Sequence, residues 1–203
     1  MIDTIIFDLG GVLIDWNPEY VFSKLIPDSE KRQYFFDHIC THEWNIEQDA
    51  GRSLADATDL LLAQWPEWEF EIRAYYGRWE EMLGGPLHDT VDLLRELRDQ
   101  QAHRLLALTN WSAETFPVAL ERYEFLHWFE GIVVSGTEKT RKPFTDIYEI
   151  LLDRYKVTPE RAVFIDDSLK NVQGAEFLGI NGIHFQGAAP LRDALRNLGV
   201  SYL

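Results

Sequence analysis

Four apolar runs in this chain end where chemistry-bearing residues begin. Ile5-Ile6-Phe7 stops at Asp8, with Gly10 and Gly11 close behind. Arg104 to Leu108 leads to Thr109-Asn110, and Ala162 to Ile165 leads to Asp166-Asp167. Gly131 to Ser135 (GIVVS) runs into the basic loop Gly136 to Lys142, GTEKTRK. Two adjacent acids at the end of a buried strand repel each other unless a cation or strong donors compensate. A hard cation such as Mg²⁺ takes oxygen ligands, typically one or two carboxylates together with phosphate. Asp8 with Asp166 or Asp167 supplies those carboxylates, Lys142 a point charge and the Thr109 hydroxyl a donor. These types suit phosphoryl transfer, which needs a nucleophile, positioning and charge neutralisation. Taken singly, Asp8 would serve as a turn cap, Thr109-Asn110 as a helix start and the basic loop as a solvated turn. Their recurrence at successive strand ends favours one shared site.

The elements that must position them are an α/β alternation. Buried strands are expected at residues 5–7, 104–109, 131–135, 162–166 and 182–185. Helices are expected at 90–100, 113–122, 144–155, 169–178 and 190–198, with Pro143 at the natural start of the third. Alternation of this kind predicts a parallel sheet with right-handed crossovers, whose strand ends share one edge and one crevice. From Trp16 to Pro86 the pattern changes to helical spacing over 20–25, 30–39, 53–65 and 70–83. Ser53 is a good N-cap for the third of these. Trp44, Trp65, Trp68 and Trp79 fall within this region and read as the core of a small helical unit. Gly84-Gly85-Pro86 breaks the pattern. The expectation is an α/β Rossmann-like core from residues 1–16 and 87–203, carrying residues 17–86 as an inserted helical cap.

Composition narrows the function. A net charge of −15, from 34 acids against 19 bases, argues against nucleic acid and requires any anion site to be locally basic or metal-bridged. The hydrophobic fraction of 46% is that of an ordinary globular protein. No stretch approaches the roughly 20 apolar residues of a membrane span, and the first residues carry no basic region before their short apolar run. The single cysteine, Cys40, excludes an internal disulfide. A cytoplasmic protein is expected, monomeric or homodimeric, acting on a small molecule.

The motif set resembles the haloacid dehalogenase-like hydrolase superfamily, in the branch with a helical cap after the first strand. FDLGGVLID matches its first motif, LLALTN its second, RKP its third and VFIDDSLKN its fourth. The resemblance implies that Asp8 is the nucleophile, forming an aspartyl-phosphate. It implies that Gly10 coordinates Mg²⁺ through its carbonyl and that Asp166 and Asp167 hold the metal with Asp8. Thr109 and the adjacent Asn110 would bind phosphate, and Lys142 would neutralise nucleophile and phosphoryl group. Asn171 stands at the position of a supporting acid or amide. The resemblance is specific for the superfamily and leaves the substrate open.

One position departs from that pattern. Phosphatases of this superfamily usually carry a second Asp two residues after the nucleophile, as general acid, and here Gly10 stands there. A positioned general acid contributes about 10²–10⁴ in rate. The leaving group must therefore be a good one, or a cap residue or water must supply the proton, or activity has been lost. The cap stretch His42 to Arg52 (HEWNIEQDAGR) is the candidate substrate-facing segment, with Trp44 to stack on a ring and Glu43, Asn45, Glu47 or Asp49 to hydrogen-bond it. A Mg²⁺-dependent phosphatase of a small phosphorylated metabolite, for example a sugar phosphate, leads this reading. The alternatives are a 2-haloacid dehalogenase using Asp8 on carbon, and a non-catalytic binding or regulatory protein on the same scaffold.

Overall fold

The computed structural model describes residues 1–200. Its centre is a five-stranded, wholly parallel sheet built from β1 (Thr4–Phe7), β4 (Arg104–Thr109), β5 (Gly131–Val134), β6 (Ala162–Asp166) and β7 (Asn181–His184), in the order β5-β4-β1-β6-β7. β1, β4 and β6 are the most apolar runs, and they occupy the three middle places. A parallel strand covered on both faces needs apolar residues on both, and all of Thr4–Phe7 and Ala162–Asp166 are buried. Alternate residues serve opposite faces: Ile5, Phe7, Leu105, Ala107, Val163 and Ile165 join one apolar cluster, while Ile6, Leu106, Leu108 and Phe164 join the other.

Helices cover both faces. Helix α6 (His88–Gln100) presents Val91, Leu94 and Leu97, and α11 (Ala188–Asn197) presents Leu191 and Leu195, to the first cluster. Helices α9 (Thr145–Tyr155) and α10 (Leu169–Phe177) pack Ile147, Tyr148, Leu151 and Ala175 into the second. Two shorter pieces, α7 (Phe116–Arg122) and α8 (Ser135–Glu138), follow β4 and β5 in the chain. The expected loop from residue 136 therefore begins with a helical turn. The third core helix starts at Thr145 with Phe144 as its N-cap, so Pro143 lies outside it.

Between β1 and α6 the chain leaves the sheet. β2 (Ile14–Trp16) and β3 (Leu83–Pro86) form a two-stranded antiparallel ribbon that brackets the helical segment. Here the structure corrects the expectation that residues 84–86 merely break the chain: Gly85 and Pro86 are paired with Asp15 and Ile14. Within the segment lie α1 (Glu19–Leu25), α2 (Ser29–His38), α3 (His42–Asn45), α4 (Leu54–Gln64) and α5 (Glu69–Gly77). The Asp28, Thr41 and Ser53 side chains cap three of them by accepting from the N–H groups of Lys31, Trp44 and Asp56. Aromatic rings fill the interior, with Phe22 stacked on Phe35 at 4.9 Å and Trp44 edge-on to Tyr75 at 5.2 Å. The expected helix 70–83 is shorter than its pattern, ending at Gly77 before a 3₁₀ turn over Trp79–Met82. Among the described residues no helix is long and apolar enough to cross a membrane.

Candidate active site at the strand ends

The order of the sheet brings the acids together. β1 lies between β4 and β6, so their carboxyl ends are adjacent, at the point where open α/β sheets bind ligands. The N–H of Asp8 donates to Ile165 O at 2.8 Å, which fixes the acid one residue past the β1–β6 pairing. The loop after it doubles back tightly, with the N–H groups of Leu13 and Ile14 both donating to Leu9 O. Gly11 sits in this loop at φ +71°, and a side chain there would place Cβ 2.2 Å from Asp167 Oδ2. Glycine is needed at that point for both conformation and clearance. Gly10 differs: nothing lies within 4 Å of where its Cβ would be.

Lys142 is the hub of the site. Its buried ammonium uses all three donors: Asp8 Oδ1 at 2.8 Å, Asp166 Oδ2 at 2.6 Å and Leu108 O at 3.0 Å. Asp166 is fully buried and fully partnered, since it also accepts from Ser168 N at 2.7 Å and from Asn171 Nδ2 at 3.0 and 3.1 Å. Asp8 accepts from Lys142 and from Leu9 N, both at Oδ1, so Oδ2 has no protein partner among the described residues. Burial pushes the Asp8 carboxyl up to about 7 against the pull of Lys142, and the Asp166 charge adds to the rise. Burial opposes the Lys142 charge, yet Asp8 and Asp166 together hold its ammonium above the ordinary lysine range. Asp167 is raised by burial and by Asp166.

This electrostatic imbalance has a simple origin. Three carboxylates, Asp8, Asp166 and Asp167, offer oxygens within 4.8 Å of one another, and one buried lysine stands against them. An all-oxygen donor set with surplus negative charge suits a hard divalent cation. The residues present therefore fit Mg²⁺.

The phosphate-binding expectations divide. The Thr109 hydroxyl ends β4 buried and without a hydrogen-bond partner among the described residues. Asn110 already makes two contacts. Its side chain accepts from Lys142 N at 2.9 Å and donates to Lys142 O at 3.1 Å. This clamps the Lys142 backbone and leaves the second amide N–H of Asn110 uncommitted, on a residue that lines the adjoining cavity.

Beside this row opens a cavity of about 170 Å³, lined by Gly10 and Asn110 from the core and by Asn45 and Asp49 from the insertion. Trp44, expected to stack on substrate, does not line it. The ring is buried among Tyr75 and Tyr76, with Nε1 donating to Ala57 O at 3.1 Å, because the largest apolar side chain of α3 is drawn into the helical core. Glu43 is exposed, and Glu47 pairs with Arg141 at 3.2 Å. The aromatic walls are instead Trp16, Tyr76, Trp79 and Trp111, with Trp79 from the insertion edge-on to Trp111 from the core at 5.7 Å. Of these, Trp79 reads from sequence as packing, while Tyr76, Trp111, Ser112 and Thr115 go unmarked there. For Trp111, Ser112 and Thr115 the available signal is position, in the segment that follows the β4 strand end.

An acid delivered by the central strand of a parallel sheet, paired with a buried lysine and followed at once by a helical insertion, defines a hydrolase core of Rossmann-like architecture. Residues 2–179 match the family model of the haloacid dehalogenase-like hydrolases, and the chain belongs to that family. It is 30% identical over 194 residues to the sesquiterpene phosphatase astK of Aspergillus oryzae, covering 95% of this chain and 94% of the relative. It is 24% identical to a phosphorylated carbohydrates phosphatase of Thermotoga maritima, over 90% of this chain and 84% of that one. In fold it is similar to a magnesium complex of the HAD family enzyme bt-2542 from Bacteroides thetaiotaomicron, with a TM-score of 0.73 and 21% identity over 96% and 98% of the two chains.

Proposed function

We propose that this hydrolase is a Mg²⁺-dependent phosphatase of a small phosphorylated metabolite, with Asp8 as nucleophile and residues 17–86 as a cap over the site. The observation that carries the reading is the Asp8–Lys142–Asp166 cluster: a nucleophilic carboxylate with one oxygen tied and one oxygen free, beside a buried cation. Asp8, Asp166, Asp167 and the Gly10 carbonyl would hold Mg²⁺, which when bound neutralises phosphoryl charge. Asp8 Oδ2 attacks phosphorus in line as the bond to the leaving oxygen breaks. Lys142 offsets the negative charge that gathers on Asp8 and the transferred group, and the Thr109 hydroxyl donates to a phosphoryl oxygen. Water then attacks the aspartyl-phosphate, releasing inorganic phosphate and restoring the carboxylate.

The phosphatase names of two relatives, one acting on phosphorylated carbohydrates, support this reaction class. The mixed cavity wall, four aromatic rings beside Asn45, Gln48 and Ser112, supports a substrate with a flat or apolar face and a few hydrogen-bonding groups. A buried, unpaired Cys40 supports a reducing, cytoplasmic setting. Dehalogenation fits less well: it needs no metal, and without a cation its carboxylate substrate would meet three clustered acids, a repulsion of several kcal/mol in a dry crevice.

Phosphate release from a panel of sugar and other small phosphomonoesters, with Mg²⁺ and with EDTA, tests the reading. Release that requires Mg²⁺ and Asp8 supports it. Chloride release from 2-chloropropionate in EDTA would replace it with the dehalogenase.

A further inference from the structure

Gly10 leaves the first motif without a side chain to protonate the leaving oxygen. We infer that Asp49, carried by the insertion, supplies that proton and is a catalytic residue of the phosphatase reaction proposed above. Asp49 lines the same cavity as Gly10 and Asn110. Among the described residues its carboxylate forms no hydrogen bond and no ion pair, so it is not committed to structure as Glu47 is. The segment that carries it is docked on the core at two points. Glu47 pairs with Arg141 on one side, and on the other Gly51 packs so closely that an added Cβ would lie 3.0 Å from Lys139 Cγ and 3.2 Å from Gly136 O. Asp49 lies between these ties, held over the loop that delivers Lys142.

The surroundings set its protonation. Burial pushes the Asp49 carboxyl up to about 7, against the opposing charges of Arg141 and Lys142. The other titratable groups that face it are Tyr75 and Tyr76 from α5 and His42 from α3. Glu47 is paired with Arg141, and Arg52 is bonded to Gln48 Oε1 and Trp44 O. An acid that holds its proton near neutral pH suits general acid–base work. In the first step the Asp49 carboxylic acid gives its proton to the leaving oxygen as the phosphorus–oxygen bond breaks and the Asp8–phosphorus bond forms. In the second, the Asp49 carboxylate takes a proton from the attacking water as the Asp8–phosphorus bond breaks.

The test is leaving-group dependence. Asp49→Asn is assayed with Mg²⁺ on glycerol 2-phosphate, whose alkoxide leaves poorly, and on p-nitrophenyl phosphate, whose phenolate needs no proton. The expected loss in kcat is about 10²–10⁴-fold for the first and under about tenfold for the second. The basic limb near pH 7 in the wild-type glycerol 2-phosphate profile disappears with it. The double variant Gly10→Asp with Asp49→Asn recovers alkyl phosphate turnover, since the space at Gly10 is open. Equal losses on both substrates, no loss on either, or transfer of the dependence to His42→Gln would overturn the assignment. Wild-type enzyme inactive on both esters, and unable to bind BeF₃⁻ at Asp8, would overturn the phosphatase reading beneath it. Binding of BeF₃⁻ with an unaltered Asp49→Asn leaving-group profile would overturn only Asp49.

Discussion

Lys142 Nζ lies 2.8 Å from Asp8 Oδ1, and the lysine side chain is wholly buried. The same ammonium reaches Asp166 on the neighbouring strand, so one cation ties the ends of β1 and β6 together. Burial of this kind costs several kcal/mol per ion, and the cluster persists because every lysine donor and both Asp166 oxygens are satisfied.

Lys142→Ala leaves Asp8 and Asp166 buried without their partner. Breaking a buried pair in this way costs about 3–5 kcal/mol, equivalent to roughly 6–20 °C in melting temperature for a chain of this size. Phosphatase turnover falls at least about 10²-fold, the scale of removing one charge-stabilising donor. Lys142→Arg does not rescue it, because the planar guanidinium cannot reproduce three donors converging from one atom. Thermal melts and phosphate release on both variants check this.

The proposed Mg²⁺ site predicts that a divalent cation stabilises the folded state by offsetting the surplus charge of Asp8, Asp166 and Asp167. At about one hundred times its dissociation constant, Mg²⁺ adds about 2.7 kcal/mol. Calorimetric scans with and without Mg²⁺ show this increment for the wild type and its loss in Asp167→Asn.

The two adjacent glycines respond oppositely to a methyl group. Gly11→Ala forces a positive φ and drives Cβ to within 2.2 Å of Asp167. The backbone strain alone costs roughly 1–2 kcal/mol, and displacement of Asp167 weakens Mg²⁺ binding. Gly10→Ala meets open space and unfolds within about 1 kcal/mol of the wild type. Urea titrations of the pair report the contrast.

Asp49 makes stability depend on pH with a definite sign. Its carboxyl is raised from 3.8 to about 7 by burial, so the folded state holds a proton that the unfolded state releases. That contribution is intact below pH 4 and is lost as pH rises toward 7. Asp49→Asn therefore melts with the wild type at pH 4 and above it at pH 8, by up to about 4 kcal/mol. Melting curves across this range, in EDTA, measure the difference.

The catalytic row was legible because its logic is local. An apolar run long enough for a buried strand, ending in an acid, fixes both the element and the place of Asp8 and Asp166. The paired strands β2 and β3 were not legible. Ile14-Asp15-Trp16 is too short to show alternation, and Leu83-Gly84-Gly85-Pro86 carries residues that ordinarily end structure. Only their pairing with each other makes them strands. The same limit applies to the cavity. Trp79 and Trp111 meet across the join between insertion and core, a contact that neither local sequence encodes. Trp44 drew attention as an aromatic among polar residues, yet burial of its ring against Tyr75 and Tyr76 decides its place. Asn110 lies in the expected motif, and its clamp on Lys142 depends on a segment 32 residues away.

Covalent chemistry at Asp8 is the step on which the proposed reaction turns. Rapid-quench mass spectrometry of the enzyme mixed with Mg²⁺ and p-nitrophenyl phosphate reads it directly. A phosphoryl group is expected on the peptide spanning Asp8 during turnover, absent from Asp8→Asn together with phosphate release. Undiminished turnover in Asp8→Asn, or a phosphoryl group carried on any other residue, would contradict it.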